Sequence, residues 1–341
     1  MPACFRHPRH INYRNIFGSW DHKTSNRSDH NSLNLATRTM FDVSTVSEDI
    51  TENISTHTLT EWGLQSKNDR PPLILVPRFD NPAHCIQDAL FSLLPMAYRG
   101  DLRGTRAMTW GDIESDYCLK VMKALEWFDE MHVIPDNTCF DKIWVPAYMH
   151  YRFPSGRSRG IYNKNDNGYL HKEDLPIEML QFFQIEMWKA FLADNASLTD
   201  QGGSGMILFV SRRESSRRIW KNVDEIAGIV QQKMGGVKVH VIDDAGALTL
   251  QEQAELYHNA SVLVTPHGGS NPNIVFMRPN TTVFEIHCTG GSWAREWVID
   301  LGINHFPILP DAPPCKDHNE KFLAVHPETL VGHITQAYAK N

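Results

Sequence analysis

Four arginines stand close together in the segment Ser211-Arg212-Arg213-Glu214-Ser215-Ser216-Arg217-Arg218, and Asn222 follows four positions later. Guanidinium forks hold phosphate oxygens two at a time, and free N–H groups at a helix start add partial positive charge. The segment therefore suits an anionic ligand, although it reads equally as a solvated run balanced by Glu214, Asp224 and Glu225. A second segment, Thr265-Pro266-His267-Gly268-Gly269-Ser270-Asn271-Pro272-Asn273, joins two glycines to a histidine. Glycines let backbone N–H groups approach a diphosphate, and His267 is of the type that donates to a phosphate oxygen or assists a leaving group. The plainer account is a tight turn with a packed histidine. A third segment, Asn81-Pro82-Ala83-His84-Cys85-Ile86-Gln87-Asp88, spaces His84 and Asp88 four apart at a helix start. There they share a face and suit general-base chemistry; a capping Asn81 beside an ordinary ion pair explains the same residues. Glu285 closes the apolar run Thr282-Val283-Phe284-Glu285, where a carboxylate accepts hydrogen bonds from ribose hydroxyls or pairs structurally. Asp243 and Asp244 are adjacent, so in an extended chain they point opposite ways and make no metal pair.

The elements that must position these residues alternate in type. Residues 1–70 are polar and without periodicity, and read as a loosely ordered arm. Residues 71–77 then read as a buried strand, 83–98 as an amphipathic helix, 115–131 as a helix, 141–148 as a strand and 151–174 as a long polar loop. Pro176 opens a helix to about residue 194, ahead of a Gly/Ser-rich stretch at 194–205 that marks a domain boundary. Beyond it strands at 206–211, 237–243, 261–265 and 281–287 alternate with helices at 223–234, 250–258 and 293–301. Repeated βαβ units give a parallel sheet, whose ligands bind at the carboxyl ends of strands. The arginine run and the glycine segment each follow a strand directly. The expected domains are 71–200 and 201–341.

The chain has 341 residues with a net charge of −7, which excludes a protein that coats nucleic acid through a basic face. Neither segment carries the G-x-G-x-x-G fingerprint or a Walker A loop, which argues against a nicotinamide enzyme and a P-loop ATPase. Six cysteines are scattered without zinc-finger spacing, and their pairing is open between disulfides and free thiols. Asn-x-Ser/Thr sequons at Asn26, Asn53, Asn195, Asn259 and Asn280 lean towards a secretory lumen, while the absence of a signal-like apolar run near Met1 leans against it.

Taken together, the three segments resemble glycosyltransferase family 61. FVSRRESSRRIWKN is similar to the family's I-S-R-R-x-x-S-R-R-x-x-x-N segment, and NPAHCIQD to its N-x-x-H-x-x-x-D motif. TLQEQAELYHNASVLVTPHGGSNPNIVFMRPNTTVFEI resembles the stretch built around H-G-A-G-L-T-N and a following V-x-E. The resemblance implies a GT-B architecture, two Rossmann-like α/β domains with parallel sheets facing a central cleft, and inverting transfer from a UDP-sugar to a glycan or glycoprotein hydroxyl. It places Arg212, Arg218, Asn222, His267, Gly268, Gly269, Asn273 and Glu285 on donor-binding segments, and His84 and Asp88 on the catalytic, acceptor-facing motif. It implies a Golgi or endoplasmic reticulum lumen, and no cofactor or metal beside the UDP-sugar. Two positions depart from the pattern: Ser270 replaces the second glycine, and Pro272, which lacks an N–H, stands beside Asn273. The change at Ser270, with the short N-terminus, motivates the alternative of a catalytically inactive nucleotide- or glycan-binding relative.

Overall fold

The computed structural model describes residues 3–4, 40–42, 73–76, 81–109, 112–133, 139–140, 144–146, 176–192, 205–288, 294–311 and 320–340. The expected arm at 1–70 lies almost wholly outside them, as do the polar loop at 151–174 and most of the Gly/Ser stretch. Two compact units divide the chain, Met1–Tyr151 with Asn165–Glu173, and Arg152–Lys164 with Asp174–Asn341.

The first unit holds strands β1 (Ala3–Cys4), β2 (Met40–Asp42), β3 (Leu73–Leu75), β4 (Arg106–Thr109), β5 (Glu130–Val133), β6 (Cys139–Phe140) and β7 (Trp144–Pro146). Its main sheet has the order β2-β7-β3-β4-β5, parallel except where β2 meets β7. Between β3 and β4 the chain winds through α1 (Pro82–His84), a π-helical turn (Cys85–Leu90) and α2 (Phe91–Arg99). Asn81 caps this start, its Oδ1 accepting the Ala83 N–H at 2.9 Å, with Pro82 in the first turn where no N–H is missed. Helix α3 (Tyr117–Ala124) is shorter than the 115–131 expected. Asp116 caps it at Leu119 N–H, 3.0 Å, but Glu126 turns to a φ of 50° and breaks the spiral. The chain then enters β5, so the helix pattern of 125–131 yields to sheet pairing. A disulfide, Cys85–Cys118, ties the π turn to α3.

The second unit contains α4 (Ile177–Phe191), β8 (Met206–Val210), β9 (Ile219–Trp220), α5 (Val223–Lys233), β10 (Val239–Ile242), α6 (Leu250–His258), β11 (Ala260–Pro266), β12 (Thr282–Ile286), α7 (Arg295–Asp300), β13 (Asn304–Ile308), β14 (Phe322–Leu323) and α8 (Pro327–Tyr338). The sheet order is β10-β8-β11-β12-β13, all parallel. Strand order therefore reverses between β8 and β11: α5 leads from β8 towards β10 on one side, and the helical turn Asn271–Phe276 leads from β11 to β12 on the other. Strand alternation sorts the side chains: Ile207, Phe209, Val262, Val264, Phe284 and Ile286 join one core with Val223, Ile226 and Val230 of α5 and Leu330, Val331 and Ile334 of α8. Thr265 and Glu285, paired across β11 and β12, take the opposite face.

Helix α4 belongs with this second unit, although residues 71–200 were expected to form the first. Its Gln184 amide donates to the carbonyls of Val275 at 3.1 Å and Met277 at 2.9 Å, and the Trp188 indole donates to Val275 at 3.1 Å. Trp188 also meets His258 edge-on, and Phe191 meets Phe276. The Gly/Ser punctuation at 194–205 thus follows a helix that is already packed on the second unit.

Candidate functional site

The arginine run and the glycine segment begin at neighbouring strand ends. Arg212 and Arg218 follow β8, and His267 and Gly268 follow β11, so they flank the strands at which sheet order reverses. In open parallel sheets that crevice is where ligands bind. Both arginines adopt left-handed backbone conformations, each with φ of 59°. For a residue with a Cβ that conformation costs roughly 1–2 kcal/mol, and uncompensated strain of this kind concentrates at functional sites. Arg218 is held there by its N–H donating to the Glu320 carbonyl at 2.8 Å, next to the pairing of β9 with β14.

Arg218 is buried and Arg212 half-buried, and both guanidiniums are incompletely satisfied. Arg212 Nη2 donates to Ser215 Oγ at 2.8 Å, but its Nε and the Nε of Arg218 have no hydrogen-bond partner. Burial lowers the Arg218 pKa to about 10, helped by the like charges of Arg212 and Arg217 and opposed by Glu285. Burial lowers the Arg212 pKa too, with Asp244 acting in the other direction. Both remain cations at neutral pH, at an electrostatic cost that an anion would relieve. Arg213 is different: it is exposed and pairs with Asp224, and with Asp243 at 2.9 Å, which raises its pKa. It braces the loop, as does Ser211 Oγ, which donates to Asp243 at 2.8 Å.

Gly268 is the seat of Arg212. A Cβ on Gly268 would fall 1.6 Å from Arg212 Nη1 and 2.6 Å from its Cζ, so only glycine lets the guanidinium lie against this loop. Gly269 is half-buried beside it. His267 is fixed from behind by Glu285, with Nδ1 2.6 Å from Oε1, and meets the His287 ring edge-on at 4.3 Å. With Nδ1–H donating to the carboxylate, Nε2 is the ring nitrogen left for a ligand, and the imidazole is 14% exposed.

Glu285 is wholly buried and fully bonded. Its Oε1 also accepts from Asn271 Nδ2 at 2.6 Å, and its Oε2 pairs with His305 Nε2 at 2.8 Å. Burial alone would raise its pKa, but the hydrogen bonds from His267 and His305 prevail and hold it well below the ordinary carboxylate range. It is thus an anion that orients His267. With every oxygen engaged by protein, it is not free for a ribose hydroxyl. A second polar group lies under the same loop. The buried Tyr257 hydroxyl, Ser270 Oγ and Asn273 Oδ1 lack hydrogen bonds of normal geometry, and burial pushes the Tyr257 phenol up.

Two expected donor-site residues have their amides committed elsewhere. Asn222 Oδ1 accepts from the Trp220 indole at 3.0 Å and from Val325 N–H at 3.3 Å, while its Nδ2 donates to the Val325 carbonyl at 2.8 Å. It fastens the start of α5 to the segment after β14. Asn273 Nδ2 donates to Gln253 Oε1 at 2.7 Å, linking the loop to α6. His84 and Asp88 fall on α1 and the π turn, an irregularity frequent at functional sites, and their side chains lie outside the described residues. Among the described residues no group of three His, Cys, Asp or Glu is arranged to hold a metal.

Asn271 and His305 escape sequence reasoning. Asn271 lies inside the glycine segment and differs from its neighbours only in where the helical 271–276 turn aims it. His305 sits in β13, whose alternation puts His305 inside and the apolar Phe306 outside, against the usual polarity. Only the partner carboxylate explains it.

A search of curated proteins gives no match. The family model for glycosyltransferase 61 matches residues 71–284, which spans both strand-end segments and stops one residue short of Glu285.

Proposed function

The chain belongs to glycosyltransferase family 61, and from that premise we propose that it is an inverting transferase. It moves a sugar such as GlcNAc or xylose from a UDP-sugar to a hydroxyl of a glycan or glycoprotein. The observation that carries this reading is a pair of cations with buried, unpartnered Nε atoms, the half-buried Arg212 and the buried Arg218, beside a glycine seat at the sheet's point of reversal. A diphosphate supplies what that arrangement lacks: two negative groups that accept from both guanidiniums and offset their mutual repulsion.

In the reaction, Asp88, with His84 near it in sequence, takes the proton of the acceptor hydroxyl as that oxygen attacks the anomeric carbon. The bond from that carbon to the diphosphate breaks, and negative charge grows on the leaving UDP. Arg212, Arg218 and His267 Nε2 stabilise that charge, and Glu285 keeps His267 in the required tautomer. The arginines supply the positive charge this step requires, so the reading calls for no metal. The two α/β units, each with a largely parallel sheet, suit a GT-B arrangement with the acceptor on the first unit and the donor on the second.

The Cys85–Cys118 disulfide supports an oxidising compartment, and with the sequons we assign the chain to the Golgi or endoplasmic reticulum lumen. Among the described residues no helix is long and apolar enough to cross a membrane. The test is a transfer assay with UDP-GlcNAc, UDP-xylose and UDP-arabinose against mannosyl, xylosyl and peptide acceptors, with the product's anomeric configuration read by NMR. One donor should be consumed with inversion, and Asp88→Asn should stop turnover while UDP still binds. Binding of UDP with no transfer from any donor would favour an inactive binding relative. No binding at all would reject the site.

A further inference from the structure

Two of the sequons fall among the described residues, Asn259 and Asn280, and both stand at the amino ends of sheet strands. Asn259 immediately precedes β11, and Asn280 lies two residues before β12. Arg212, His267 and Gly268 occupy the carboxyl ends. A five-residue strand such as β12 separates the two edges by about 15 Å at roughly 3.3 Å per residue. A group attached at either asparagine therefore leaves from the edge of the second unit opposite the arginine site.

The two asparagines are not equivalent. Asn259 is half-buried at the end of α6, and its Nδ2, the atom that would carry a sugar, donates to the Glu255 carbonyl at 2.8 Å. Asn280 is the third residue of a turn in which Thr281 N–H donates to the Arg278 carbonyl at 3.4 Å. Pro279 in second place and a φ of 65° at Asn280 make this a type II turn, whose third position favours glycine or asparagine. The turn is held rigidly by its backbone and by a neighbour. Thr281 Oγ1 donates to Arg278 O at 2.6 Å, and Asn280 N–H donates to the Gly302 carbonyl at 2.9 Å. The Asn280 side chain takes no part in this, and it is exposed.

We infer that Asn280 carries an N-linked glycan and that Asn259 does not. The inference rests on the lumenal compartment proposed above. In the modification Asn280 Nδ2 attacks the anomeric carbon of an oligosaccharide carried on a lipid diphosphate. The C–N bond forms, the bond from carbon to phosphate oxygen breaks, the amide gives up one proton and the lipid diphosphate leaves. The acceptor motif is complete, with Thr282 two positions on. Because the Asn280 side chain takes no part in holding the turn, the added sugar displaces no contact of the fold. At Asn259 the same bond would crowd the capping interaction that ends α6.

The test is site occupancy in the full chain, secreted from a eukaryotic host behind a cleavable leader. Enzymatic deglycosylation in H2(18)O turns each glycosylated asparagine into labelled aspartate, which peptide mass spectrometry locates. The expected result is labelled aspartate at 280 and unmodified asparagine at 259. Asn280→Gly, which keeps the positive φ, should remove one glycan's mass and leave the thermal midpoint and UDP affinity unchanged. Unmodified asparagine at 280 overturns the inference, as does labelling at 259. Occupancy at 280 in a chain that binds no UDP supports it while refuting the nucleotide reading, so the two fail separately.

Discussion

Replacing Gly268 by alanine tests the seat of Arg212 without touching a charge. The new Cβ would begin 1.6 Å from Nη1 and 2.6 Å from Cζ. Carbon and nitrogen need about 3.5 Å, so the guanidinium must retreat by about 2 Å. That retreat is cheap for the fold, since the obstructing atoms end a flexible side chain and Gly268 has no positive φ. On the proposed function, what is lost is a preorganised cation at the leaving diphosphate. Losing one such donor costs about 10²–10³ in turnover, or roughly 3–4 kcal/mol of transition-state stabilisation. The assays are UDP titration by calorimetry, initial transfer rates and thermal unfolding. The control is Gly228→Ala in α5, where no atom lies within 4 Å of the new Cβ; helix propensity should stabilise that variant by about 0.5–1 kcal/mol. Gly268→Ala with native turnover and native UDP affinity would refute the proposed seat.

Glu285 should govern the acid limb of stability. Its pKa is lower in the folded state than its ordinary value of 4.5, so its contribution is complete above that value and is lost as pH falls through the lower folded value. Glu285→Gln should flatten acid unfolding and, by leaving a buried histidine facing an amide donor, cost about 3–5 kcal/mol, measured by denaturant melts at pH 7. Replacing Cys85 and Cys118 by serine opens a loop with a sequence separation of 33 and should cost about 4 kcal/mol by chain entropy, read as earlier unfolding of the first unit. Asn222→Ala should cost about 1–3 kcal/mol, since it strands the Val325 backbone groups, with UDP affinity changed less than twofold.

Much of this site was legible because its residues follow strands that announce themselves. Met206–Val210 and the run through Val264 are continuous apolar stretches, so the positions of Arg212 and His267 at strand ends could be read directly. The division of labour within each segment could not. Arg212 and Arg213 are adjacent and identical in type, yet one lies on Gly268 and the other pairs with Asp224 and Asp243, a difference set by the left-handed turn at 212. Asn222 lies in the resembling motif but serves a packing role, because β14, its partner's neighbour, is about a hundred residues away in sequence. Strand β4 was missed for a related reason. Four residues, Arg106–Thr109, carry too little pattern to stand out, and pairing on both sides makes them a strand. Helix α4 shows the limit of composition as a guide to domains. Its place is decided by Gln184 and Trp188 reaching carbonyls some ninety residues onward.

On the proposed function, Arg212 and Arg218 hold the diphosphate of a nucleotide sugar. Calorimetric titration of UDP into the full chain tests it most directly, beside the variant with both arginines replaced by alanine. Saturable one-to-one binding to the native chain is expected, weakened at least about a hundredfold in the variant, since hydrogen bonds to charged groups contribute roughly 1.5–3 kcal/mol each. UDP that fails to bind the native chain, or binds both proteins alike, would contradict it.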